Sequence, residues 1–476
     1  MTDVLLQPAG VLLAKLRCRE ISSQELVAAA LARIDALNPK LNAFCAMDAG
    51  AAKTAAKLAD ARLARGEARP LEGLPVDVKD ALDAAGFTAV AGAPALKDRR
   101  PDADAPTVAR LRAAGAVILG KTNVPVFSSD FQTFNPVFGV TNHPRDAAFS
   151  PGGSSGGAAA AVATGMSALS LCTDLGGSIR WPAHACGLFG LKTTWGLATT
   201  YGAVPPPPNR RLDRDADCMV AGPLARSAAD LKLMLEIIAG PRHGPRAGPL
   251  AASRVASAKG LRVALWAHDP FLATDASVRA AVEEAARRLE KSGAMIDETA
   301  RPGVTLAEAF EVFSLYNHAA LGYGMPAKLR DKIAASASLY RRDDLSHRAL
   351  QARGVRISPG AYRDLELRRL SLQRRWAKFF ERYDVVLCPP APVGPIRHDF
   401  APDIHERKLM VDGRERPYFD FLIWSSLASG PGLPAAAAPV GDGSDAMPRG
   451  VQIIAPMGAD LTAIAVAGLI GEGAQT

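Results

Sequence analysis

The chain of 476 residues is 48% apolar and 22% charged, which supplies a large core and excludes wholesale disorder. Its 56 Lys and Arg against 48 Asp and Glu leave a net charge of +8, but the bases are scattered and aromatics are only 6%, which disfavours nucleic-acid binding. The six cysteines (Cys18, Cys45, Cys172, Cys186, Cys218, Cys388) form no CxxC pair and the eight histidines no HxxxH or HExxH spacing, so they read as buried, reduced thiols and dispersed imidazoles, with no metal expected.

In chain order, the N-terminal MTDVLLQPAGVLLAKL lacks the basic start and apolar run of a secretory signal, and nothing later reaches the ~18 uninterrupted apolar residues of a spanning helix. The expected location is cytoplasmic, with no membrane partner. Residues 1–65 read as helices, with Ser22 and Glu25 at capping-box spacing ahead of an apolar period of three to four. From Leu74 the pattern becomes short apolar runs, GLPVDVKD, AAGAVILGKTN and ATGMSALSLCTD, alternating with helix-like segments, the signature of an α/β sheet protein. Pro205 to Pro208, followed by NRRLDRDAD, reads as a surface loop. We expect the loop Pro205–Asp217 to bear on substrate selection. Residues 307–382 read as a helical insertion, within which the basic stretch Arg363–Arg382 alternates with leucines and aromatics as a solvated helix face does. Strand-like VVLCPPAPV and VQIIAP follow. Length alone suggests about three domains at ~150 residues each. Strand material on both sides of the insertion instead favours one domain over 1–476.

The most unusual composition is Ser150-Pro-Gly-Gly-Ser-Ser-Gly-Gly157, followed by an alanine-rich helix, the strand SALSLCTD and then Leu175-Gly-Gly-Ser178. A flexible turn is the plain alternative, and a phosphate loop is weak because the lysine and hydroxyl of GxxxxGK[ST] are missing. Where a strand ends near Asp174 and a helix starts near Ser178, two glycines would set a serine hydroxyl among outward-pointing N–H groups, the geometry that stabilises an acyl-transfer oxyanion. A serine nucleophile needs a base. His143 and His184 are close in sequence but suit structural roles; Lys79, in the apolar run Gly73-Leu-Pro-Val-Asp-Val-Lys79, is the best candidate if burial keeps its amine neutral.

These residues resemble the amidase signature family of serine hydrolases. GGSSGGAAAAVATG, TDLGGSIRWPAHACGLFGLKTT, PLEGLPVDVKDALDAAG, GAVILGKTNVPVF, AGPLARSAADLKLML and LASGPGLPAAAAPVG carry the likeness between about Ile21 and Pro456; Ala307–Leu422 does not match closely. The resemblance implies an α/β/α sandwich around one large, mixed, twisted sheet. It implies a Ser–Ser–Lys triad of Ser178 (nucleophile), Ser154 (bridging, after a cis Gly153–Ser154 bond) and Lys79 (base). The N–H groups of Leu175, Gly176, Gly177 and Ser178 would form the oxyanion hole, with Asp174 and Arg180 bracing the turn and Ser128 lining the acyl pocket. Neither metal nor organic cofactor is implied.

The expectation is a stand-alone amidase acting on a small-molecule amide, ester or carbamate, with a homodimer left open. The alternatives are a glutaminase-type subunit of an amidotransferase complex and a catalytically silent binding protein. TTWGLATTYGAVPPPPNRRLDRDAD is unlike the arginine- and tyrosine-bearing loop of the amidotransferase subunit. Intact Lys79, Ser154 and Ser178 argue against the silent protein. Phe127, Phe131, Phe134 and Phe138, near the pocket segment, weakly favour an aryl or hydrophobic acyl group.

Overall fold

A computed structural model of the chain describes residues 3–204, 215, 217–244 and 248–472. Its organising element is one sheet of 11 strands. In space they run Phe44–Met47, Val117–Thr122, Pro75–Lys79, Leu169–Asp174, Val220–Ala225, Phe189–Lys192, Ala435–Asp442, Pro448–Ile454, Val385–Cys388, Arg262–Leu265 and Met295–Asp297. Pairing is parallel where a helical crossover links neighbours, as between Pro75–Lys79 and its partners Val117–Thr122 and Leu169–Asp174, and antiparallel through the centre.

Alternate residues of the strands feed different cores, because side chains change face at every residue. Val263, Leu265, Val385 and Leu387 join the core beneath the helices Ser23–Leu41, Ala228–Ile238, Ala276–Lys291 and Asp460–Gly471. Ala264, Val386 and Cys388 face the core of the helices Leu306–Gly324, His347–Gly354, Pro359–Phe379 and Phe421–Ser429. The result is the α/β/α sandwich around a mixed sheet. Strands buried on both faces explain the near-continuous apolar runs that mark them in the sequence.

Helices dominate both segments read as helical, with one exception near the N-terminus. Ser22 caps Ser23–Leu41 with a reciprocal Glu25 capping box. The segment 306–379 holds four α-helices, the last of which buries Leu365, Leu372, Trp376 and Phe379, exposes Arg363 and Arg374, and packs Arg369 over Trp195 and Tyr316. The all-helical reading of 1–65 is corrected by Phe44–Met47, a four-residue edge strand antiparallel to Val117–Thr122. Its length is too short for a period, and pairing with a distant strand decides it. Four of the six free cysteines are buried as expected, but Cys45 is half-buried and Cys18 is exposed. The Pro205–Asp217 loop lies outside the described residues except Asp215 and Asp217. No helix among the described residues is long and apolar enough to cross a membrane.

Two neighbouring parallel strands, Pro75–Lys79 and Leu169–Asp174, end on the same edge of the sheet, the edge where open α/β sheets place their ligands. The helix Gly156–Ala163 packs close against this edge: a Cβ on Gly157 would lie 2.4 Å from the backbone nitrogen of Asn123, just past the strand Val117–Thr122. The small residues of GGSSGGAAAA are what allow this approach.

Candidate active site

Lys79 is the last residue of its strand and is fully buried. Its Nζ lies 2.7 Å from Ser154 Oγ and donates to the Thr173 carbonyl at 3.3 Å. Burial pushes the Lys79 pKa down to about 8, against the pull of nearby Cys172 and Asp174. An amine with that value is neutral in a substantial fraction of molecules near neutral pH, which an exposed lysine is not. Ser154 follows a cis Gly153–Ser154 bond, and the next residue ties the two serine loops together: Ser155 N–H donates to the Ser178 carbonyl at 3.3 Å.

The turn bearing Ser178 is built around Asp174. Its carboxylate accepts from Gly177 N–H at 2.9 Å, Ile179 N–H at 3.0 Å, Arg180 Nε at 3.0 Å and Arg180 Nη2 at 2.8 Å. Burial alone would raise its pKa; the Arg180 guanidinium and the turn N–H groups instead hold it well below the usual carboxylate range. Arg180 also donates to Ser425 C=O, Gln452 Oε1 and Ser429 Oγ, at 3.1, 2.5 and 2.9 Å. Its charge is thus spent on bracing the turn. The helix beyond starts at Arg180, two residues later than the spacing suggests.

This bracing alters the expected set of four N–H groups. Gly177 N–H is held by Asp174, whereas those of Leu175, Gly176 and Ser178 donate to no group among the described residues. Gly177 adopts φ +106°, a conformation that a side chain strains by about 1–3 kcal/mol. Gly177→Ala should therefore lower stability by that order and cut kcat more than it raises KM, read by denaturant unfolding and steady-state kinetics.

Leu175, Gly176, Ser154 and Ser178 open on a cavity of about 880 Å³, in which Ser178 is half-buried. Ser128 lines it too, at φ +56°, with a buried Oγ that has no partner among the described residues. Of the four phenylalanines, Phe127 and Phe131 line the cavity, while Phe134 packs edge-on against Phe400. His143 and His184 lie elsewhere, bonded to Ala185 C=O and to the Gly450 backbone. Among the described residues no His, Cys, Asp and Glu side chains gather as metal ligands.

The family model for amidases matches residues 25–463. The chain belongs to the amidase signature family. A glutamyl-tRNA(Gln) amidotransferase subunit of Methylobacillus flagellatus is 34% identical over 463 residues, covering 92% of this chain and 91% of the relative. Two solved structures share the fold at a TM-score of 0.79. One is a chain of a vestigial protein complex tied to the origins of an s-triazine catabolic enzyme, 29% identical, covering 98% of each chain. The other is 6-aminohexanoate cyclic dimer hydrolase complexed with substrate, 27% identical, covering 99% of this chain and 97% of that one. An amidase signature chain is a hydrolase-type enzyme, and here Ser154 and Ser178 line the cavity just described, with Lys79 buried behind Ser154.

The cavity wall also carries residues that sequence reasoning did not single out. Asn317, His318 and His347, from the helical insertion, line it together with His405 and Phe419. Their spacing along the chain has no period, so only packing of the two helices brings them together. Another missed element, the hairpin Lys408–Val411 with Arg414–Pro417, did carry a signal: Asp412-Gly413, both at positive φ, is a favoured two-residue hairpin turn.

Proposed function

We propose that the protein is a stand-alone amidase that cleaves a carbon–nitrogen amide bond through a Ser178 acyl-enzyme. The observation that carries this reading is the buried Lys79–Ser154 contact of 2.7 Å beside Ser178 in a cavity of about 880 Å³. Neutral Lys79 accepts the Ser154 hydroxyl proton as Ser154 accepts that of Ser178, and Ser178 Oγ adds to the substrate carbonyl carbon. The negative oxygen that forms meets the N–H groups of Leu175, Gly176 and Ser178, each worth about 3–4 kcal/mol. Ser154 then delivers a proton to the departing nitrogen, because an amine anion is a poor leaving group. Water then gives a proton to the same relay as its oxygen adds to the acyl carbon, and the relay returns that proton to Ser178 Oγ as the ester bond breaks and the acid leaves. Esters and carbamates present the same carbonyl and suit the same steps.

The relatives favour a second reading, a glutaminase-type subunit, since the matched curated proteins carry the amidotransferase name. Glutamine bears an α-carboxylate, and no lysine or arginine lines the cavity among the described residues; a buried carboxylate without a cation is costly. This supports the stand-alone reading. Purified protein assayed on anilides, aliphatic amides, esters and aryl carbamates tests it. Turnover without any added subunit is expected; silence on all of them, relieved by an added partner, would restore the amidotransferase. Failure of a fluorophosphonate to label Ser178 would favour a silent binding protein.

The pH profile is a further expected result. The reactive form has neutral Lys79, and burial places that group near 8. kcat/KM should therefore fall about tenfold per unit below that pH and level off above it. A profile still climbing at pH ~10, the value of an unperturbed lysine, would remove Lys79 as the base.

A further inference from the structure

The cavity has a second polar end. Asn317 and His318 are neighbours on the helix Leu306–Gly324, and His347 opens the helix His347–Gly354. His318 is 2% exposed, yet neither of its ring nitrogens has a partner among the described residues; nor do Asn317 Oδ1 and His347 Nδ1. Buried polar atoms are normally paired, and leaving them without a partner is costly. The rings themselves are well packed. His347 lies flat on Phe419 with centroids 3.5 Å apart, and His318 meets His347 edge-on at 4.8 Å. These side chains are held in place at the cavity wall, and those buried hydrogen-bonding atoms have no partner among the described residues.

Charge narrows what that is. Burial pushes His318 down to about 3 and His347 well below its ordinary value, so both rings are neutral, each with one N–H donor and one acceptor nitrogen. Three carboxylates line the cavity: Asp130 holds Arg407 and the Tyr418 hydroxyl, Asp215 accepts from Thr199 Oγ1 and Thr200 N–H, and Asp217 is not free either. With two neutral imidazoles and one amide as its polar groups without a partner among the described residues, this part of the wall carries no formal charge of its own. It matches a neutral group that offers a donor and an acceptor together. The position is set by the helix. A Cβ on Gly176 would lie 3.6 Å from Phe313, and His318 is five residues further on, about 7.5 Å along the axis at 1.5 Å per residue.

We propose that Asn317, His318 and His347 form a recognition subsite for a neutral carboxamide-type group, an amide or urea, carried on the substrate several bonds from the carbonyl that Ser178 attacks. This rests on the reading of Ser178 as the nucleophile. The cavity then selects substrates with a second amide-like function.

Matched 4-nitrophenyl esters test it, with acyl chains of stepwise increasing length ending in a carboxamide, an isosteric isopropyl, an ammonium or a carboxylate group. At one chain length the carboxamide ester should exceed the isopropyl ester in kcat/KM by about tenfold or more, since a site built to hydrogen-bond rejects analogues that cannot. His318→Leu and Asn317→Leu should each erase that ratio, and His318→Gln, which keeps a donor and an acceptor, should preserve part of it. The ratio is read within each variant, so a general loss of activity cancels. Should His318→Leu not fold, Asn317→Leu and His318→Gln carry the comparison. No carboxamide preference at any length, a preference for a charged terminus, or a ratio unchanged in Asn317→Leu would overturn the proposal. If no ester is turned over, dissociation constants of the corresponding N-methyl amides, measured by calorimetry, report the same ratio. Failure of the hydrolytic reading is thereby separated from failure of the subsite.

Discussion

Ser178→Ala should abolish both amidase and esterase activity, a loss of at least about 10⁴-fold in kcat/KM, while leaving substrate binding largely intact. Ser154→Ala and Lys79→Ala remove the proton path instead, and should cost about 10²–10⁴-fold on an anilide. They should cost much less on an ester with a good leaving alcohol, because such an alcohol departs without protonation whereas an amine does not. Lys79→Ala carries an extra penalty of about 1–3 kcal/mol, since Ser154 Oγ, 2.7 Å from Nζ, loses its partner in a fully buried site. The three groups act as a unit, so Lys79→Ala/Ser154→Ala should be little worse than the weaker single variant. An anilide and a matched aryl ester, assayed on all four variants, read these differences. Near wild-type activity on either substrate in Ser178→Ala would remove the nucleophile and the mechanism with it.

Arg180→Ala should be the most destabilising single change near the site. Asp174 and Arg180 are both fully buried and joined by two bonds, and the guanidinium also ties Ser425, Ser429 and Gln452 to the turn. Removing one member of such a pair leaves a buried charge without its partner, typically about 3–5 kcal/mol. The loss should appear as a lower denaturant midpoint. Activity should fall with it, because Asp174 would no longer hold Gly177 N–H and orient the three open donors. Arg180→Lys should rescue little, as an ammonium cannot reproduce the planar fork. The pH dependence has a definite sign. A carboxyl whose folded pKa is lowered contributes its stabilisation fully above the unfolded value of ~3.9, and that contribution is lost as pH falls toward the folded value. Wild type should therefore weaken below about pH 4, and Asp174→Asn, less stable throughout, should lack that part of the acid transition. An Asp174→Asn acid limb as steep as that of wild type would show that another carboxyl governs it.

Much of the fold was legible because its signals are local. The Ser22–Glu25 box, the apolar runs at Pro75–Lys79, Leu169–Asp174 and Val385–Cys388, and the insertion's helical period each follow from side chains within a few residues of one another. The glycine and serine clusters marked the site region for the same reason: backbone freedom is written in residue type. What tertiary structure alone decided depends on distance in space. Lys79 on a strand reads as solvent-facing by default; only enclosure beneath the Ser154 loop makes it a buried amine with a pKa near 8. Which turn N–H groups stay open was settled by the Asp174 carboxylate, a choice no residue pattern records. Phe44–Met47 became a strand because Val117–Thr122 offered it an edge. His318 and His347, 29 positions apart, share one cavity wall because two helices of the insertion pack together. Propensity and periodicity report on neighbours along the chain, whereas burial, pairing and pKa are set by neighbours through space.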